Sequence, residues 1–372
     1  MDDYSSVDFV EDINYRMYRA FRKAARHKRN TYDESQFEMR MHESINLLVR
    51  DVLRGEFHPH PGISFVITDP VIREIFAAPF MDRVIHHFLC DITEPFWENR
   101  LINDSYSCRK GKGTMYGIFR LARHMRQVSQ NYQIPTTVAK FDIKSYFMSL
   151  PRAGLYESVM KGLNLQFPNG GPLYDICKYL WHEVIFDDPT RGVILRGSKE
   201  KRSLLPRSKS LFYQPAGRGI VIGNVTSQHI SNIYLDPFDR FMMHTLGYMH
   251  YGRYVDDFFI VIPTAKLDKL LKDIAMVDSK LASLSLTRHP NKVYIQDINH
   301  GVEFLGVKVF PRRILPGTRI VHNYEESLLK YEMGISADRI SIESYEGLMQ
   351  HYNYRTIQQK IIRRVRDMVR GV

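Results

Sequence analysis

Adjacent carboxylates set between runs of β-formers are the feature of this sequence best suited to chemistry. Asp256 and Asp257 sit in Tyr251-Gly252-Arg253-Tyr254-Val255-Asp256-Asp257-Phe258-Phe259-Ile260-Val261-Ile262, with Gly247 before and Pro263 after. Aromatic and branched residues on both sides predict a hairpin with the acids at its tip. Two ionised neighbours repel unless something offsets their charge. A hard divalent cation does this through carboxylate oxygens and can take substrate phosphates as well. An isolated Asp-Asp pair is most often a solvated turn, so a second acid in similar surroundings decides the reading. Asp142 is that acid. It ends a run of β-formers in Thr137-Val138-Ala139-Lys140-Phe141-Asp142-Ile143-Lys144-Ser145-Tyr146-Phe147, and a helix is expected after Pro151. A strand-end Asp, remote in sequence from a hairpin-borne pair, is the arrangement that holds two metal ions roughly 3.5–4 Å apart.

These stretches resemble the motifs of reverse transcriptases. Tyr254-Val255-Asp256-Asp257 is similar to their Tyr-x-Asp-Asp box, and Phe141-Asp142-Ile143 to their first catalytic motif. The resemblance implies RNA-templated transfer of a deoxynucleotide to a primer 3′-hydroxyl, with two Mg2+ held by Asp142, Ile143, Asp256 and Asp257. One ion would activate the hydroxyl, and both would offset charge on the phosphorus and the departing pyrophosphate. Asp142 and Asp256 are the expected direct ligands; Asp257 is expected to shape the field around them.

Further residues take roles from the same resemblance. Arg73, opening the second strand of a hairpin that begins at Ser64, matches a basic residue that reaches the incoming triphosphate; a guanidinium pairs bidentately with phosphate oxygens. The alternative is a salt bridge from Arg73 to Asp69 or Glu74. Arg109, Lys110 and Lys112, interleaved with Gly111 and Gly113, match a loop that lies along the RNA template. Phe147, five residues after Asp142, matches an aromatic beneath the incoming sugar that excludes a 2′-hydroxyl. Lys292 is a candidate for orienting the triphosphate or protonating pyrophosphate, and the second role requires a pKa lowered toward neutrality. Phe304, Leu305 and Gly306 match a primer-grip hairpin.

The segment Ile222-Gly223-Asn224-Val225-Thr226-Ser227-Gln228 narrows the resemblance. Most reverse transcriptases carry Gln-Gly-x-x-x-Ser-Pro there. Ile222 stands for the Gln and Gln228 for the Pro, a pair that resembles the enzymes of diversity-generating retroelements. A glycine allows close backbone approach to the nascent base pair. An aliphatic neighbour removes hydrogen bonds that hold template and nucleotide in register, and discrimination weakens. The resemblance implies error-prone copying at template adenines. It also implies a template-repeat RNA, its RNA–DNA hybrid, dNTPs and a small basic accessory protein forming a homo-oligomeric barrel as partners. Other bacterial reverse transcriptases, from group II introns or phage defence, are the competing reading. A non-catalytic RNA-binding factor that keeps the fold, and a palm-type nucleotidyl cyclase, are the more distant ones.

Bulk properties agree with a polyanionic partner. The 372 residues are 44% hydrophobic and 25% charged, with a net charge of +11, and each neutralised phosphate releases condensed counterions. Three dispersed cysteines give neither a disulfide framework nor a zinc motif. No apolar run is long enough to span a bilayer, so a cytoplasmic protein, bacterial or phage-encoded, without a membrane partner is expected.

The elements that must position these residues follow from periodicity. Helices are expected over Val7 to Lys28, where Phe9, Ile13, Met17, Phe21 and Ala24 lie opposite Arg22, Lys23, Arg26, Lys28 and Arg29. Others are expected over Gln36 to Arg54, Tyr116 to Val128, Pro172 to Ile185 and Lys266 to Leu284, the last with Leu267, Leu270, Leu271, Ile274, Val277, Leu281 and Leu284 on one face. A final helix puts Ile357, Ile361, Val365 and Met368 on one side and Lys360, Arg363, Arg364 and Arg370 elsewhere. The expected fold is α+β, a right-hand polymerase. Its fingers, with an N-terminal helical extension, span 1–139. Its palm, an antiparallel sheet backed by helices, spans 140–308 with an irregular basic insertion at about 186–216. A small helical thumb spans 309–372.

Overall fold

A computed structural model of the chain describes residues 6–26, 31–69 and 71–370. Lys28, Arg29 and Pro70 lie outside the described residues, as does the side chain of Arg370. The described strands are β1 (Ile63–Ile67), β2 (Arg73–Ala77), β3 (Thr136–Ile143), β4 (Ile194–Leu195), β5 (Tyr251–Tyr254), β6 (Asp257–Pro263), β7 (Arg288–Asp297), β8 (Val302–Phe304), β9 (Val307–Phe310) and β10 (Arg313–Pro316). They form three sheets, in the orders β2-β1-β4, β5-β6-β3-β7 and β10-β9-β8. Pairings are antiparallel for β1–β2, β3–β6, β5–β6, β8–β9 and β9–β10, while β1 meets the short β4 in parallel. The fold is therefore mixed helix and sheet, as the sequence predicts. The chain divides into two compact units: Met1–Cys108 with Ile143–Thr245 and Met276–Arg288, and Arg109–Asp142 with Leu246–Ala275 and His289–Val372.

The first unit is mostly helical. Helix Val7–Ala24 starts where Ser6 accepts a bond from the amide of Phe9, and it buries Ile13, Met17, Phe21 and Ala24. Lys23 pairs with Asp91, so one member of its predicted basic face is a structural cation. The helix predicted over Gln36 to Arg54 is two, Tyr32–Met39 and Met41–Leu53, broken at Arg40. Phe37, in the first of them, lies 5.5 Å from the ring of Phe21 and 5.2 Å from that of Phe80. Packing of this ring cluster fixes the direction of the short helix, a tertiary demand that periodicity does not carry. Helix Phe80–Glu98 runs through the unit. Helix Arg152–Gln166 approaches it so closely that a Cβ on Gly162 would lie 2.5 Å from the Trp97 ring.

The basic stretch after Phe186 is anchored on the small sheet. The Ile194 and Arg196 amides donate to Gly62 and Ser64 carbonyls. From the short helix Lys199–Ser203, Arg202 donates to Glu74 at 2.9 Å and to the Ser64 carbonyl at 3.0 Å. Glu74 is fully buried and its other oxygen accepts from the Leu211 amide. Glu74 is thus spoken for by Arg202, and the alternative bridge to Arg73 does not form.

The second unit holds the hairpin sheet. Phe141 on β3 stacks on Phe258 of β6 with centroids 5.3 Å apart, and Phe259 meets Phe304 edge-on at 5.2 Å. Helix Thr114–Val128 packs on β5, β6 and β9. The C-terminal helices Thr318–Glu332, Arg339–Met349 and Arg355–Arg370 share a core of Ile320, Tyr324, Ile342, Met349, Ile361 and Val365. Met368 is 46% exposed, and Val369 packs in its stead. Leu271 is likewise 49% exposed, at the edge of an otherwise apolar face that buries Leu270, Val277 and Leu281. Both assignments came from helical phase, which drifts by a residue at the edge of an apolar stripe. Among the described residues no helix is long and apolar enough to cross a membrane.

Removing one partner of a buried ion pair leaves an uncompensated charge. Arg202→Ala is accordingly expected to destabilise the chain by about 3 kcal/mol, with Glu74→Gln in the same background recovering part of the loss. Thermal unfolding of the three proteins measures this. An Arg202→Ala midpoint equal to the parent's would show that the clamp carries no weight.

Candidate active site

The carboxylates are brought together by strand register. Tyr254 pairs with Asp257 across β5 and β6, so Val255 and Asp256 form a two-residue turn. Val255 takes φ 57°, a left-handed conformation that is unfavourable for a β-branched residue and costs about 1–3 kcal/mol. Arg253, wholly buried, donates from Nη1 to the Val255 carbonyl at 3.0 Å and braces the turn. The Tyr254 hydroxyl lies 3.3 Å from Thr114 Oγ1. Across β3 and β6, Asp142 stands directly opposite Asp257. Directly paired residues share one face of a sheet with their Cβ atoms close together, and like charges there destabilise it. Asp256 adds a third carboxyl from the adjacent turn position.

The electrostatics record that crowding. Loss of hydration, with the charges of Asp257 and Asp142, pushes the Asp256 carboxyl up to about 7. Asp257 is raised chiefly by loss of hydration, with Asp142 adding and Lys140 and Lys292 opposing. Lys292 Nζ forms a 2.7 Å ion pair with Asp142 Oδ2. Partial burial works to lower the Lys292 pKa, but the bond to Asp142 and the charges of Asp256 and Asp257 outweigh it, and the pKa is raised. This is opposite to the direction that a proton donor at neutral pH requires. Lys292 is a fixed positive charge at the rim of the acid cluster.

The donor chemistry suits a hard divalent cation: three carboxyls outnumber the two ammoniums of Lys140 and Lys292, and burial with the neighbouring charges pushes the Asp256 carboxyl up to about 7. Among the described residues no set of three or more His, Cys, Asp or Glu stands ready to hold a metal ion. The Ile143 side chain is aliphatic and wholly buried, which leaves only its main-chain carbonyl as a ligand.

The predicted nucleotide contacts belong to the first unit. Arg73 is exposed at the start of β2. Phe147 and Ile222, half-buried, pack against one apolar cluster of Phe76, Met148 and Leu211. Ile222 accepts at its carbonyl from the Phe76 amide at 3.2 Å. Gly223 follows with φ 133°, and a Cβ there would lie 2.8 Å from the Phe76 carbonyl oxygen, so only glycine fits. Gln228 is exposed near the start of helix Val225–Arg240.

The template and primer candidates divide. Lys110 is exposed, and Lys112 Nζ lies 5.9 Å from the centre of the Tyr116 ring. Arg109, expected beside them along the template, is 9% exposed, so its side chain belongs to the protein interior. Phe304 is buried, while Leu305 and Gly306 form the β8–β9 turn at φ 50° and 85°. Sequence reasoning missed Arg253 and Lys140. An arginine within a strand carries no sign of burial, but Lys140 lies on the same strand as Asp142, two residues earlier, and was legible from the alternation of the strand.

The raised pKa of Asp256 makes stability depend on pH. Between the ordinary 3.8 and about 7 the folded chain holds a proton that the unfolded chain has released. This contribution is present below about pH 4 and lost as pH rises through about 7. In metal-free buffer Asp256→Asn, which cannot ionise, is expected to be more stable than the parent at pH 8 by on the order of 1–3 kcal/mol. The gap should close toward pH 5. Denaturant midpoints across that range measure it; a gap constant with pH would mean that Asp256 is not crowded.

Comparison with known proteins places this geometry. A family model described as reverse transcriptase (RNA-dependent DNA polymerase) matches residues 72–309, well over half of the chain. No curated protein matches the sequence. Among solved structures, the chain is similar to the telomerase of Candida tropicalis in complex with a TWJ fragment of telomeric RNA, with a TM-score of 0.50 and 12% identity over 82% of this chain and 55% of that one. It is similar to the apo telomerase of the same organism, also at TM-score 0.50 and 12% identity, over 74% of this chain and 51% of that one. The chain thus spans about half the length of these structures, and at such identity the likeness is one of fold. On the extent of the family match, which runs from β2 through β3 and the Asp256–Asp257 hairpin to β9, this chain belongs to the reverse transcriptase (RNA-dependent DNA polymerase) family.

Proposed function

We propose that the chain is an RNA-directed DNA polymerase with Asp142, Asp256 and Asp257 at its reaction centre. One observation carries this: the register of β3 on β6 sets Asp142 opposite Asp257, with Asp256 beside it in the turn. Two Mg2+ would be held by Asp142, Asp256, Asp257 and the Ile143 carbonyl, and would supply Lewis acidity at the primer hydroxyl and the triphosphate. The chain's own groups do the rest. Lys292, kept protonated by the acids around it, holds a positive charge beside Asp142 that would meet triphosphate oxygens. Arg73 pairs with triphosphate oxygens from the open start of β2. Phe147 lies under the incoming sugar, and Ile222, Gly223 and Gln228 flank the nascent pair. Lys110 and Lys112 track the template backbone, Arg109 shapes that loop from inside, and Phe304, Leu305 and Gly306 meet the primer. In this reading residues 1–139 are fingers, 140–308 palm and 309–372 thumb.

Within the family we assign the chain to the diversity-generating retroelements, as a polymerase that makes adenine-mutagenic cDNA from a template-repeat RNA. Support comes from the Ile222-Gly223 and Ser227-Gln228 pairs and from the apolar setting of Ile222, which offers no hydrogen bond to a base. A small basic barrel-forming accessory protein is the partner, and the cytoplasm of a bacterial or phage-infected cell is the setting.

Incorporation of dNTPs on a primed RNA is expected to require Mg2+, to cease on chelation and to fall by at least about 10³-fold in Asp256→Ala. Activity retained in that variant would leave the fold as an RNA-binding scaffold. Sequenced cDNA from an adenine-containing RNA is expected to concentrate errors opposite adenine, and Ile222→Gln to suppress them while synthesis continues. A uniform error spectrum would remove the retroelement assignment and leave the polymerase standing.

A further inference from the structure

The segment Ile222–Gln228 is suspended from one rigid piece of the first unit. β2 ends at Ala77, and helix Phe80–Glu98 begins three residues later, so only Ala78 and Pro79 separate strand from helix. The segment and the residue that follows it, His229, are tied to this piece at three points. The Phe76 amide donates to the Ile222 carbonyl. In the second turn of helix Phe80–Glu98, His86 Nδ1 lies 2.7 Å from Thr226 Oγ1. Farther along, Thr93 Oγ1 lies 3.1 Å from His229 Nε2. The Thr93 hydroxyl gives its proton to the Leu89 carbonyl, so the imidazole of His229 is the donor in the last of these. Phe147 hangs from the same assembly: its carbonyl accepts from the Ile220 amide, and the hydroxyl of its neighbour Tyr146 donates to the Ser231 carbonyl at 2.6 Å.

The middle tie is the one that bears on the nucleotide site. His86 and Thr226 are 6% and 1% exposed, so water cannot replace either partner. Thr226 directly precedes Ser227 and Gln228 and lies three residues after Gly223, whose missing Cβ lets the chain press on the Phe76 carbonyl. The bonds at the Ile222 carbonyl and the Thr226 hydroxyl hold this stretch at both ends and so set where Ile222 stands relative to β2 and Arg73. Burial pushes His86 down to about 3 and His229 to about 4; both are neutral imidazoles whose ties do not come and go with pH.

We infer that His86, acting through Thr226, is a positioning residue for nucleotide selection: it fixes the Ile222–Gln228 segment against β2 and thereby the shape presented to the incoming base pair. The inference rests on the polymerase reading above, and it concerns groups that touch neither substrate nor metal. A buried hydrogen bond of this kind holds geometry more than it adds stability, and breaking it strands a polar atom without a partner. Loss of the tie lets the segment drift and loosens the fit of the correct nucleotide more than that of a wrong one, so selectivity falls before turnover does.

The test uses the full chain with two substitutions. Thr226→Val keeps the shape and removes the hydroxyl; Thr226→Ser keeps the hydroxyl. Single-nucleotide incorporation is expected to show the dNTP KM of Thr226→Val raised about 10-fold with kcat within threefold, misincorporation rising several-fold, and Thr226→Ser within twofold of the parent on all three. Amide exchange of residues 222–228, read by mass spectrometry without any substrate, is expected to be at least about tenfold faster in Thr226→Val. A Thr226→Val protein with parental KM, error spectrum and exchange would overturn the inference, as would one that only melts at a lower temperature. Should the parent make no cDNA, the polymerase reading fails while the exchange measurement still decides whether the tie positions the segment.

Discussion

Three carboxyl groups held at one end of a sheet against their mutual repulsion are the constraint on which the hairpin unit is built. An unsupported strand pair would relieve the strain by slipping or fraying, since like charges opposite one another oppose pairing. Here apolar packing prevents that. β3 is buried along nearly its whole length, Phe141 and Phe258 stack one position behind the acids, and Arg253 grips the turn from within the core. The hydrophobic effect, summed over these side chains, exceeds what the electrostatics remove. The residual field is then expressed where it has chemical use, as a carboxyl held near neutrality and a lysine held charged.

The first unit solves a different problem with different means. Its motif segment is irregular backbone, which needs partners for every polar group it buries. Main-chain bonds from β2, hydroxyl–imidazole contacts from helix Phe80–Glu98 and the tight approach at Gly223 supply them. Neutral buried histidines suit the task because each offers a fixed donor or acceptor with no charge to hydrate. The basic stretch beyond Phe186 is pinned in the same spirit, by a guanidinium that reaches into the small sheet.

What the sequence made legible was local. Alternation and turn residues located β3 and the Asp256–Asp257 hairpin, the family resemblance pointed to the β8–β9 turn, and helical spacing located helices Val7–Ala24, Thr114–Val128, Pro172–Phe186 and Leu267–Ser283 to within a few residues. Motif spacing led to the family. Features decided by partners remote in the chain were not legible. The break at Arg40 answers to Phe21 and Phe80, the burial of Arg109 and Arg253 to surroundings that no spacing reveals, and the pairing of Glu74 to Arg202, 128 residues away. Met368 and Leu271 were misplaced by one step around a helix. The direction of the Lys292 shift depends on which acids surround it, and a strand pattern does not say that.

The collision that a Cβ at Gly223 would meet has a consequence for how such a chain can diversify. With 223 confined to glycine by the Phe76 carbonyl and 226 tied inward, a substitution at either position disturbs the path of the segment. Position 222 is only half enclosed and presents its side chain at the margin of the cluster. Of these three positions, 222 is therefore the one whose side chain can change without a collision or a lost tie.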